Sequence, residues 1–127
     1  MPQVDIQYLT DPDAIIELWS LVRQVPTVGI THELMLANAL AGQYATIIGL
    51  HDNEICGFMF YQIVQDTLTI VALHLPHHAR EFIESFDEWC KKLNVRRYYA
   101  VSQRDPKAYA RLFGLTYIYG TFMKEIH

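Results

Sequence analysis

Three histidines crowd one short stretch of this chain, His74, His77 and His78, and Glu81 follows one helical turn after His77. His77 and Glu81 stand at i and i+4, a spacing that can bring two ligands to one metal ion. A closed zinc site needs a fuller set of Cys, His and carboxylate groups, which the rest of the sequence does not supply, so no metal is expected. The same imidazoles can meet an anion when protonated, or simply fill a loop and a helix start. Basic side chains are gathered further on. Residues 91–111 hold seven of the ten Lys and Arg residues and only one of the fourteen acidic ones. That tract could capture a phosphate-rich ligand or an acidic protein partner; its plainer alternative is a solvated helix face. Tyr98, Tyr99, Tyr117 and Tyr119 alternate with small or apolar residues, either as pocket walls or as packing. Cys56 and Cys90 lie in no activating setting and read as inert buried thiols.

Some framework must hold these groups. Residues 4–9 are β-branched enough for a first strand. Asp11 then offers a cap and Pro12 suits a first helical turn, and Ile15, Leu18, Trp19 and Val22 follow at helical spacing, so residues 12–24 read as one amphipathic helix. Pro26 and Gly29 end it. Thr31 can cap a second helix over 31–41, with Glu33 in its first turn. Residues 44–51 and 54–64 form a hairpin about the turn Asp52-Asn53, and 67–75 is a third consecutive strand, stopped by Pro76. The helical period returns over 77–93, where Phe82, Phe86, Trp89 and Leu93 share the apolar, inward face and Phe82, Phe86 and Trp89 read as core. A strand over 96–102 and a helix from Asp105-Pro106 to near Gly114 follow. Residues 116–126 are extended, with Gly120 as a bulge or bend, and have room for one long strand or two very short ones.

The order is therefore βαα-βββ-αβ-αβ, an α/β (α+β) chain with a mixed, mostly antiparallel sheet and helices on both faces. At 127 residues it is expected to be a single domain over 1–127. A net charge of -4 argues against general nucleic-acid binding. No apolar run approaches the roughly 20 residues of a membrane helix, so no membrane partner is expected. With no apolar signal core and no cysteine framework, a cytoplasmic location fits best.

That order, with its spacing, resembles the GNAT superfamily, the GCN5-related N-acetyltransferases, over nearly the whole chain. Asn53-Glu54-Ile55-Cys56-Gly57-Phe58-Met59 is similar to the second hairpin strand of the family. Glu88-Trp89-Cys90-Lys91-Lys92-Leu93-Asn94-Val95 resembles the end of the helix after its cofactor loop. The stretch from Asp105-Pro106-Lys107-Ala108 to Phe113-Gly114-Leu115 resembles its last helix, and Phe122-Met123-Lys124 its closing strand. The resemblance implies an acetyl-CoA site where the fourth strand splays from the fifth, with a phosphate loop of pattern Gln/Arg-x-x-Gly-x-Gly/Ala at the next helix. That pattern falls on His74-Leu75-Pro76-His77-His78-Ala79, where His74 replaces Gln/Arg, His77 replaces the first Gly, and Ala79 fits.

The resemblance further implies a backbone amide near Ala72, Leu73 and His74 that polarises the thioester carbonyl. Amides of His77, His78 and Ala79, with Arg80, would hold the pyrophosphate, and Arg104 and Lys107 would lie near the nucleotide. His74 would be the base or orient a water, and Tyr109 would be the acid, although the family's tyrosine position is here Ala110. Acetyl-CoA and an unidentified amine acceptor are the implied partners. Two readings stay open: an acetyl-CoA-dependent N-acyltransferase, or a catalytically inert interaction and assembly protein of the same fold, such as a bacteriophage virion or morphogenesis part. Edge pairing of residues 116–126 would make a homodimer.

Overall fold

A computed structural model describes residues 4–27, 29–101, 116–118 and 121–126, with side chains as far as Ala100 and again at Glu125 and Ile126. One seven-stranded sheet organises them, built from β1 (Asp5–Leu9), β2 (Ala45–His51), β3 (Glu54–Val64), β4 (Thr67–His74), β5 (Arg97–Val101), β6 (Thr116–Ile118) and β7 (Thr121–Glu125). Its order is β1-β2-β3-β4-β5-β7-β6. Every pairing is antiparallel except β4 with β5, which is parallel. Among the described residues no helix is long and apolar enough to cross a membrane.

Strand alternation sorts the core into two layers. Ile47, Met59, Tyr61, Leu68, Ile70 and Tyr98 pack with Phe82, Ile83, Phe86 and Cys90 of α4 (Ala79–Lys92) on one face. Ile48, Phe58, Phe60 and Ala72 pack on the other against three short helices, α1 (Pro12–Ile16), α2 (Trp19–Val22) and α3 (His32–Leu40). Asp11 caps α1 by accepting from the Asp13 amide, and Thr31 caps α3 by accepting from Leu34. The two-residue turn Asp52-Asn53 has φ of 52° and 65°, the doubly left-handed form whose twist suits a hairpin.

The structure departs from the sequence reading in two places. The expected helix over 12–24 is two pieces, because the Leu18 amide bonds Ile15 and the Leu21 amide bonds Leu18, a three-residue step that tightens the chain at Glu17-Leu18. Ile15, Leu18 and Val22 all stay buried across the break. Of the two arrangements open for 116–126, the structure has two short strands, with Ile118 opposite Thr121. Among the described residues β7 is internal, pairing with β5 and β6, so the edge offered there is that of β6. Leu93, expected on the buried face of α4, is 43% exposed. The helix expected from Asp105 to Gly114 lies outside the described residues.

Two bulges shape the end of the sheet nearest the α4 N-terminus. In β3 the extra residue is Cys56, between Gly49↔Gly57 and Leu50↔Ile55. Those facing glycines make a notch on the α4 side. A Cβ at Gly49 would strike the Phe82 ring, and one at Gly57 would lie 2.8 Å from the His74 carbonyl oxygen. In β4 the extra residue is Val71, between Tyr61↔Ile70 and Phe60↔Ala72. It reverses the alternation: Ile70 faces α4, Val71 and Ala72 face the small helices, and Leu73 faces α4 again.

Candidate active site

Parallel pairing of β4 with β5 begins at Thr67↔Arg97 and stops at Ile70↔Ala100, the residue before the Val71 bulge. A bulge bends the strand that carries it, and this one lies just past the last described β4–β5 pair. Strand β5 continues to Val101, which pairs with Thr121 of β7. No described β4–β5 pair includes Ala72 or Leu73. Ala72 is buried under the small helices, Leu73 is half-buried on the α4 side, and half-buried His74 ends the strand opposite Phe58.

Strand β4 leads on through Leu75, Pro76 and His77 into α4. His78 is the N-cap residue, with φ 55° and ψ 39°, and its side chain caps nothing. Helical bonding begins with the Phe82 amide donating to the His78 carbonyl at 2.9 Å. The amides before it have no intrahelical acceptor by construction, and they carry the partial positive charge of the helix start. A left-handed residue followed by helical ones turns successive N–H groups into one concavity, the geometry of a backbone anion nest. His77, His78 and Arg80 are exposed around it, Ala79 is half-buried, and Glu81 in the first turn is the opposing charge.

One neighbour of this corner escaped the sequence reading. His51, the last residue of β2, stacks on His78 with ring centroids 3.7 Å apart and planes within 14°. Its Nδ1 lies 3.4 Å from the Asp52 carboxylate. The residues are 27 positions apart, and no local pattern announces such a contact.

Elsewhere the tract over 91–111 divides. Lys91, Lys92, Arg96 and Arg97 lie at the far end of α4, whose 14 residues span about 20 Å. Lys91 bonds Glu88 at 3.1 Å and Arg96 stands 3.9 Å from Asp66. Arg104, Lys107 and Tyr109 lie outside the described residues. A groove of about 700 Å³ opens at that far end, walled by Tyr8, Tyr61, Ile63, Val64, Trp89 and Leu93. Trp89, expected in the core, is half-buried there. Burial pushes the Tyr61 phenol up, with the Trp89 indole pulling the other way. Among the described residues no three His, Cys, Asp or Glu side chains converge as a metal site would require.

Cys56 sits at the bulge beside Glu81. Burial and, more weakly, the Glu81 carboxylate push its thiol up, against a smaller lowering by a backbone hydrogen bond. A raised thiol keeps its proton in the folded chain after the unfolded chain has lost it. Its stabilising effect is whole below the ordinary thiol range and is lost as pH rises through the folded value. Alkylation at pH 8 should accordingly run much slower for Cys56 in the folded protein than in urea, followed by mass spectrometry of the modified peptide. Equal rates would contradict the burial.

No protein-family model matches the sequence, and no curated protein matches it either. Solved structures do match in three dimensions. GCN5 of Tetrahymena superposes with a TM-score of 0.76 at 15% identity, over 97% of this chain and 96% of that one. The ribosomal-protein-S18-alanine N-acetyltransferase of Escherichia coli gives 0.73 at 13% identity, over 97% and 94%. The GNAT family N-acetyltransferase YhbS of Escherichia coli, solved in complex with CoA, gives 0.70 at 12% identity, over 100% and 83%. At these identities the likeness is one of architecture: this chain has the GNAT acetyltransferase fold.

Proposed function

We propose that this protein is an acyl-CoA-dependent N-acyltransferase, moving an acetyl group to an amine. The observation that carries the reading is the Val71 bulge, just past the last described β4–β5 pair, with β4 leading on to the left-handed corner at His78. The residues present suit the cofactor. An unpaired strand edge offers hydrogen bonds to an amide-rich arm, and a helix start with an exposed arginine offers donors and charge to phosphates.

When bound, acetyl-CoA supplies a thioester carbonyl open to attack by an amine. With it bound, a backbone N–H near Ala72, Leu73 and His74 would donate to the thioester carbonyl oxygen as negative charge develops there, as an oxyanion hole does. The amides of His77, His78 and Ala79 bind pyrophosphate oxygens, and Arg80 adds a positive charge. His74 takes the proton of the attacking amine, directly or through a water. Tyr109 as proton donor, and Arg104 and Lys107 at the nucleotide, belong to the same proposal. The second reading, an inert binding protein of this fold, is favoured by one feature: imidazoles rather than glycines occupy the phosphate corner.

Thermal melting with CoA tests the first element. A ligand at 100 times its Kd adds about 2.7 kcal/mol, which raises the Tm by several degrees. The shift should be present in the wild type, lost in Arg80→Glu, and kept in His74→Ala. His74→Ala should instead lower kcat toward an amine acceptor by about 100-fold or more. Binding without thiol release across a panel of amines, or no shift at millimolar CoA, would favour the inert reading and overturn the acyltransferase.

A further inference from the structure

We propose that His51 is a positioning residue for the phosphate corner, acting through His78. The inference rests on the acyl-CoA reading and adds to it the device that shapes the binding amides. His78 occupies the left-handed region, with φ 55°. Glycine enters that region freely, whereas a residue with a Cβ is disfavoured there and persists only when its surroundings hold it. No cap from its own side chain holds it, because His78 makes none. What the structure supplies is a flat partner for its ring.

That partner is itself anchored. His51 closes the β2–β3 ladder opposite Glu54, immediately before the turn Asp52-Asn53. The Asp52 carboxylate lies 3.4 Å from its Nδ1. The parallel stack at 3.7 Å then transmits the hairpin position to the His78 side chain and so to its backbone. Ala79 and Arg80, which begin the helix, inherit their amide directions from that one residue. A hairpin end thus does the work that a glycine would do by its own conformational freedom.

The test is a cycle of four full-length proteins: wild type, His51→Ala, His78→Gly, and the double variant, with His51→Phe as a control that keeps a flat ring. CoA affinity is measured by calorimetry, and amide hydrogen exchange is followed at Ala79, Arg80 and Glu81 without ligand. His51→Ala should weaken CoA binding by roughly tenfold, the scale of the left-handed penalty for a residue bearing a Cβ, and should speed exchange at those amides. His51→Phe should stay near wild type. His78→Gly should bind CoA equally well with or without His51. An unchanged Kd in His51→Ala overturns the proposal, and so does an equal loss in the His78→Gly background, which would mean that His51 does not act through His78. If none of the four proteins binds CoA, the acyl-CoA reading falls and the proposal with it, a pattern distinct from binding that ignores His51.

Discussion

Phe86→Ala should lower the free energy of unfolding by about 3–5 kcal/mol, a large share of the roughly 5–15 kcal/mol that a domain of this size has. Phe86 is fully buried in the α4 layer. Its ring meets Tyr98 of β5 edge-on, with centroids 5.2 Å apart and planes at 61°. The favourable geometry of such a pair adds about 0.5–1.5 kcal/mol beyond the buried area. The Tyr98 hydroxyl in turn donates to Asp87 on the same helix at 3.2 Å. Truncation therefore leaves a cavity between α4 and β5, and removes the packing that holds them together. Urea denaturation followed by tryptophan fluorescence measures the loss. A change under 1 kcal/mol would mean that this layer collapses around the gap.

Deleting Val71 should abolish the CoA-dependent rise in Tm. The deletion removes the extra residue of β4, so the alternation that the bulge reverses becomes continuous. Ala72 and Leu73 would keep their faces, because Ile70, Ala72 and Leu73 already alternate opposite Tyr61, Phe60 and Met59, but the bend would be lost and β4 could continue alongside β5 beyond Ala100, closing the gap that the cofactor arm needs. The variant should still show the circular dichroism of a mixed sheet and helices, at lower stability, while millimolar CoA leaves its Tm unmoved. Retention of the full ligand shift would disconnect the bulge from the site.

Much of the fold is legible along the chain because polar residues mark the phase. Asp52-Asn53 announces its turn, Thr31 its cap, and Phe82 and Phe86 the buried side of α4. The Val71 bulge is not legible, because Ile70-Val71-Ala72-Leu73 is apolar throughout and nothing records on which side each residue falls. The break at Glu17-Leu18 is hidden for a related reason: Ile15 and Leu18 are three apart, a spacing that both a regular helix and a tightened turn place inside. At the site, local sequence locates His74 and the 77–80 corner but not the left-handed His78, which a histidine-rich stretch does not advertise. His51 is a long-range contact, invisible to any window. The division of the basic tract follows from the length of α4, which carries Lys91 and Lys92 away from the corner.

The facing pair Gly49 and Gly57 has a consequence for how tolerance to change would distribute over this protein. Neither carries an atom that could touch a cofactor, yet the Phe82 ring and the turn after β4 rest in the space that their missing side chains leave. In a saturation screen scored by activity, both positions would rank with the chemical groups, rejecting even alanine. A survey that reads intolerance as chemistry would place two reactive residues where the molecule has only an indentation, and soluble yield measured beside activity would tell the seat from the reagent.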